Sequence, residues 1–171
     1  GGRYFVQPRV PVRHGGGYAR AVGIQRTLDQ AAGAVGCREI AQAVNAGAST
    51  SRWQNEAGEV VLLNDIDLTG MTEWTPAGAG TSTGNPAYQV ASSFSGVFNG
   101  QGFAIKGINW TFNVKDSETH LFGLFGAIKD ATVKNLVLGA EGDQITVVGV
   151  NDNVISVGAL TGYAEASTIL G

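Results

Sequence analysis

The chain has 171 residues, 26 of them glycine, and a formal net charge of −3. That length is enough for one domain with a real core, and a hydrophobic share of 43% sets it apart from disordered low-complexity chains. The glycines follow no three-residue period, which excludes collagen, and the mildly acidic balance argues against a nucleic-acid partner. Charged residues make up only 15%, against a usual share of about 25%. With abundant Gly, Ser, Thr and Asn, that low charge suits an extracellular β protein better than a cytosolic enzyme. No apolar run approaches the roughly 18 residues of a membrane-spanning helix. No leader of the charged-then-apolar kind opens the chain. Cys37 is alone, so no internal disulfide is available.

Residues 1–36 read as an N-terminal arm or extension. Arg3, Arg9, Arg13, Arg20 and Arg26 make it basic, which fits a solvated tail or contact with an acidic partner or membrane surface. Thr27 is placed to cap a short helical turn through Leu28, Ala31 and Ala32. The amphipathic pattern then begins near Cys37 and ends near Asn45, with Ile40, Ala41 and Val44 on one face and Gly47 where a terminating glycine belongs. A helix just ahead of a β domain can cover its first open edge.

From Glu59 onward the helical period disappears. Residues 59–63 (EVVLL) predict a strand, residues 64–68 (NDIDL) alternate as a half-buried strand does, and residues 78–92 predict a long protruding loop. Residues 94–98 predict a strand, 99–102 (NGQG) a turn suited to positive φ, and 103–108 the next strand. Residues 111–120 read as a polar excursion before an apolar return at 121–126. Val133, residues 136–138, 145–150 and 154–160 complete the series. Residues 123–133 resemble residues 158–169 at an offset of about 35, the mark of stacked units sharing one core. The second copy is barely complete at Gly171, so the stack is expected to continue in a longer protein or an assembly.

Several side-chain sets are candidates for chemistry. Asp65 and Asp67 share a face by period-two geometry, as acid–base or Ca²⁺ carboxylates would, or they close a turn. Asp116, Glu118 and His120 form a metal-like trio in a segment that is otherwise a solvated loop. Asp143, Asn151, Asp152 and Asn153 offer oxygen ligands for Ca²⁺ without the spacing of a calcium loop; no other cofactor is expected. Neither His14 nor His120 has a nucleophile motif beside it, and Cys37 reads as a packing residue. Trp53, Trp74, Tyr88 and Trp110 are the candidate ligand-binding residues, as an aromatic platform for a sugar ring, Tyr163 being a further aromatic of that kind; aromatics also serve as cap and corner residues. Asn109-Trp110-Thr111 is a glycosylation sequon.

Taken in order, AVNAG, VVLLNDIDLTG, WTPAG, FSGVFNGQGFAIKGI, GLFGAIKDATVKNLVL and VGALTGYAEASTI resemble the Gram-negative surface proteins that carry GLUG-type repeats, found beside adhesin and IgA-protease-type modules. The resemblance covers residues 37–171. It lacks the Asp and His of the family's FDGNGHTI, reading Phe98-Asn99-Gly100-Gln101-Gly102-Phe103-Ala104-Ile105 instead. It implies a mainly β fold, a right-handed parallel β-helix (β-solenoid) with a short N-terminal capping helix over residues 37–171. It also implies display outside the cell or on the outer membrane, and non-enzymatic adhesive or structural work. The partners expected are a host or bacterial surface glycan or protein, with self-association through an open β-helix end. The rival readings are a polysaccharide-degrading enzyme on the same fold, a carbohydrate-binding module, and a filament- or pilus-forming subunit.

Overall fold

A computed structural model of the chain describes residues 30–80, 90–149 and 154–171. It is mainly β, with parallel sheets and one α-helix among the described residues. Helix α1 (Gln30–Asn45) buries Cys37, Ile40, Ala41 and Val44, the stripe that its spacing predicts. It starts seven residues earlier than the apolar pattern, because Gly33 and Gly36 lie buried within it instead of breaking it, and the expected boundary at residue 36 therefore falls inside a helix. Its end is a Schellman motif: Ala48 N donates to Ala43 O at 2.8 Å, Gly47 N donates to Val44 O at 3.1 Å, and Gly47 has φ +68°.

A 3₁₀ turn (Ser51–Trp53) leads to β1 (Glu59–Val61) and β2 (Ile66–Asp67). Next come β3 (Ala79–Gly80) and β4 (Val90–Ser92), which pair antiparallel; of the expected 78–92 loop, residues 81–89 lie outside the described residues. The chain then makes one pass through β5 (Phe94–Asn99), β6 (Ala104–Lys106), β7 (Asn109–Asn113) and β8 (Thr119–Phe122). A second pass follows through β9 (Phe125–Lys134), β10 (Val137–Leu138), β11 (Gln144–Val148) and β12 (Val154–Val157), and β13 (Thr161–Glu165) and β14 (Thr168–Leu170) begin another.

Each pass lies in parallel register on the one before. β1, β5, β9 and β13 are neighbours in one sheet, with β14 also on β9; β2, β6 and β10 form a second sheet, β7 and β11 a third, β8 and β12 a fourth. Thr111 pairs with Thr146 and His120 with Ile155, so the displacement between passes is about 35 residues. The self-similarity of residues 123–133 and 158–169 is thus a stacking relation: Leu124 N donates to Ala159 O, Phe125 N to Leu160 O, and Thr168 pairs with Thr132.

Inward positions stack apolar on apolar. Phe94, Phe98 and Phe125 meet with ring centroids 5.2–6.2 Å apart, and Val60, Leu62, Ile66, Ile105, Ile128 and Val133 fill the space around them. The predicted polar excursion at 111–120 is partly a strand. In β7 and just beyond it Trp110, Phe112 and Val114 are buried while Asn109, Thr111 and Asn113 are exposed. Alternation hid the strand, since half its residues are polar and face out.

At the crossing between passes the backbone comes into direct contact with itself. Ala77 bridges to Phe125, and Gly126 N donates to Ala77 O at 2.8 Å. A β carbon on Gly126 would collide with Gly78 O and lie 2.9 Å from Leu121 O; one on Gly78 would lie 2.7 Å from Ala127 N; one on Gly162 would lie 2.8 Å from Ser156 O. Gly58, by contrast, faces open space and needs only its φ of +80°. The two glycine roles separate cleanly under mutation. Gly126→Ala, which must push two backbones apart, is expected to cost roughly 3 kcal/mol or to prevent folding. Gly58→Ala should cost about 1 kcal/mol, the strain of a left-handed alanine. Chemical denaturation followed by circular dichroism measures both, and similar costs would contradict the close approach.

Candidate functional site

The candidate aromatic residues are placed by packing, not by exposure. Trp53, Trp74 and Trp110 keep 3%, 7% and 0% of their surface. Trp74 stacks on Trp110 at 5.2 Å with ring planes 9° apart, and Trp110 meets Phe112 edge-on at 6.2 Å. Trp74 Nε1 donates to Gly123 O at 3.1 Å and Leu124 O at 3.3 Å, anchoring the segment before β3 to the entry into β9. These rings have no open face for a sugar, because period-two alternation turns position 110 inward and the stacked passes enclose it. Tyr88 lies outside the described residues; Tyr163 is half-buried in β13.

The candidate carboxylates are tied to backbone N–H groups. Asp65 Oδ1 accepts from Ala104 N at 2.9 Å, one pass away. Asp67 Oδ1 accepts from Thr69 N at 2.9 Å and Thr69 Oγ1 at 2.6 Å, and those bonds hold its carboxyl below the usual range. Asp143 accepts from Ala140 N at 2.9 Å, while Asn151, Asp152 and Asn153 lie outside the described residues. Asp116 pairs with His120 Nε2 at 2.6 Å and accepts from Glu118 N at 3.0 Å; the His120 contact comes first in lowering its carboxyl. Of the Asp116–Glu118–His120 trio the structure brings together two, with Glu118 contributing backbone only, and His120 stacks on Phe122 at 5.6 Å. Burial pushes the Cys37 thiol up to about 12, where it stays protonated and unreactive. His14 and the arginine-rich arm lie outside the described residues.

Two features that the sequence does not reveal tie the passes together. Asn45, at the end of α1, donates to Pro76 O at 2.9 Å and accepts from Gly78 N at 2.8 Å and Ser92 Oγ at 3.1 Å, fastening the helix to the β body. On the outer face Glu59 of β1 accepts from Asn99 Nδ2 of β5 at 2.9 Å and from Lys134 Nζ of β9 at 2.8 Å, so three successive strands share one polar ladder. Asn135 Nδ2 extends it to Asn99 Oδ1 at 3.3 Å, and Gln101 Nε2 donates to Leu62 O at 2.6 Å. The signal for the ladder is a polar residue at the strand end one period apart, at positions 99 and 134.

Beside that ladder runs a broad open groove of about 650 Å³ lined by Asn99, Gln101, Gly102, Asn135, Leu136, Val137 and Gly171. It offers amide donors and acceptors at a corner of the stack, without a buried charge or a nucleophile in its lining. The apolar gap beneath α1, among Cys37, Ile40, Trp74 and Phe98, holds only about 20 Å³, room for a water and no more. Among the described residues no helix is long and apolar enough to cross a membrane.

Compared with family models, with curated proteins and with solved structures, the chain matches none.

Two predictions follow from the geometry. Trp110→Ala is expected to destabilise the fold by about 3–5 kcal/mol, the cost of emptying a fully enclosed aromatic site; a variant that lost glycan affinity at unchanged stability would instead make the ring a ligand contact. Glu59→Gln should cost about 1 kcal/mol at pH 7. Lys134 and Asn99 depress the Glu59 carboxyl in the folded state, so its stabilisation is present above the unfolded value near ~4.3 and is lost as pH falls through the lower folded value. The gap between wild type and Glu59→Gln in urea midpoints should therefore hold from pH 7 to about 5 and narrow as the pH falls below the unfolded carboxylate value.

Proposed function

We propose that the chain is a right-handed parallel β-helix, capped by α1, that works as a non-enzymatic extracellular or cell-surface module. It is of the adhesive or structural kind that the GLUG-type resemblance implies. The observation that carries this reading is the in-register stacking of β5–β8 under β9–β12 around one apolar interior. A coil built this way is stiff, because each strand is held by backbone bonds to the coils on either side. It also leaves the outward residues and the corners free to meet a partner.

The mechanism is passive display. The segment between β7 and β8, with Lys115, Asp116, Ser117 and Glu118 exposed, projects from one corner, and the amide-lined groove occupies another. A surface glycan or protein is the class of partner such loops and amides suit: hydroxyls and peptide groups match amide donors and acceptors. The polysaccharide-degrading alternative calls for carboxylates converging on one exposed face. Asp65, Asp67 and Asp143 are instead committed to separate backbone N–H groups, which favours the passive reading. The burial of Trp53, Trp74 and Trp110 likewise favours loops over an aromatic sugar platform.

The test pairs retention with turnover. The chain displayed on an inert bacterial surface is screened on arrays of glycans and matrix proteins, and the purified chain is incubated with acidic and neutral polysaccharides while reducing ends and unsaturated products are followed. Retention that falls at least tenfold when residues 115–118 are replaced by a Gly-Ser linker, with no product released, is the expected result. Product release abolished by Asp65→Asn or Asp67→Asn would replace this reading with the enzyme.

A further inference from the structure

On the outer face of the stack three groups of complementary chemistry meet at one point. Asn99 of β5 and Lys134 of β9 stand at aligned positions on adjacent parallel strands, which run about 4.8 Å apart. Glu59 of β1 reaches both. Its Oε2 accepts from Lys134 Nζ at 2.8 Å, and its Oε1 accepts from Asn99 Nδ2 at 2.9 Å. One carboxylate therefore bridges a primary amine and a primary carboxamide. The carboxamide oxygen is held as well: Asn99 Oδ1 accepts from Gln101 N at 2.9 Å and from Asn135 Nδ2 at 3.3 Å. Two donors aimed at one carbonyl oxygen polarise it and are in place for negative charge that develops there. The side chains of Glu59 and Lys134 keep only 19% and 29% of their surface, so water has restricted access to the contact.

We propose that Lys134 and Asn99 join as an intramolecular amide, Lys134 Nζ to Asn99 Cγ, with Glu59 carrying the proton between them. Glu59 takes a proton from the Lys134 ammonium, and the neutral Nζ adds to Asn99 Cγ. The charge that moves onto Oδ1 is met by Gln101 N–H and the Asn135 amide. Glu59 returns its proton to Nδ2, the Cγ–Nδ2 bond breaks, and ammonia leaves. It carries off the second proton shed by Nζ as ammonium. One C–N bond forms, one breaks, and no oxidant or other co-reactant is needed. The event happens once per chain, so it is self-modification and not turnover. At rest the proton sits on lysine, because the bonds from Lys134 and Asn99 favour the charged carboxylate. The link therefore forms slowly compared with folding. The hydrogen-bonded ladder is the chain before that step, and the modest cost of Glu59→Gln belongs to the unlinked state. Asn99 precedes a glycine, so ordinary deamidation by attack of Gly100 N is the competing reaction. The fold opposes it: Gly100 N donates to Lys134 O at 2.9 Å, and a β carbon on Gly100 would lie 2.5 Å from Asn135 O.

The test is the mass of the intact chain after several days in the folded state. It should be about 17 Da below the sequence mass, the weight of the ammonia lost. Trypsin should then fail to cut after Lys134, and residues 53–106 should be recovered joined to residues 130–171. Glu59→Gln keeps the shape and removes the base, and should lower the linked fraction at least tenfold. Lys134→Arg keeps a cation facing Glu59 without the amine, and should give the full mass with unchanged far-UV circular dichroism. A wild-type chain of full mass, cut normally after Lys134, overturns the link. A chain about 1 Da heavier does so too, since Asn99 has then been deamidated instead. The same loss of mass in Lys134→Arg is equally fatal, because it would mark a succinimide at Asn99. A link that forms as fast in Glu59→Gln removes Glu59 from the reaction and overturns the mechanism. Passive display does not depend on the link, so an unlinked chain would leave that proposal standing.

Discussion

At the crossing between passes, the carbonyl of Gly78 lies where a side chain on Gly126 would begin. Everything else in the arrangement depends on that approach being allowed. With backbone against backbone at this point, Ala77 can accept from Gly126 N, and Phe125 can accept the next pass at Thr161. The long strand β9 is then held along its length by β5 on one side and by β13 and β14 on the other. A larger residue would pry the passes apart where the inward rings of Phe94, Phe98 and Phe125 need to touch, and the core would lose contact with it. Glycine here is a spacing element, and its conformational freedom is secondary.

Much of this was legible in the residues. Branched and aromatic runs marked β1, β5, β6 and β11, and Asn99 to Gly102 announced a corner that does take positive φ at Gln101 and Gly102. The 35-residue echo between Gly123 and Gly158 was visible because both copies keep their glycines. The earlier copy at Ala77-Gly78 was not, since residues 81–89 separate it from the strand it leads into and the spacing is broken. Strand β7 was missed for a different reason. Its outward Thr111 and Asn113 made the stretch read as polar, and a two-residue period is weak evidence in so short a run.

The functional reading was harder to extract than the fold. A tryptophan states its chemistry in the sequence but not its direction. At position 110 the direction comes from alternation along β7, and its enclosure comes from Trp74, which arrives from 36 residues upstream. The carboxylates behave the same way. Asp65 lies just ahead of β2 and Asp67 within it, and what they do depends on Ala104 and Thr69, the first of which belongs to the next pass. Asn45 looks like an ordinary helix-end residue until Pro76, Gly78 and Ser92 are brought around it. In each case the role is set by a neighbour that only the stacking supplies.

The polar ladder of Glu59, Asn99, Lys134 and Asn135 shows how the outer face can hold register without contributing to the core. An apolar interior is tolerant: Val, Ile and Leu on neighbouring strands pack acceptably in more than one alignment, and a slip of two residues would return every side chain to its own face. The ladder removes that freedom. A shift of β9 by two residues would carry Lys134 away from Glu59 and leave the carboxylate with one partner instead of two. Each bond is modest because the groups are partly solvated, but the difference between the right alignment and its nearest competitor is what specifies the stack. The strongly apolar interior supplies the stability, and the sparse polar residues outside it choose among the stable arrangements. A chain with so few charged residues can therefore still settle on one register.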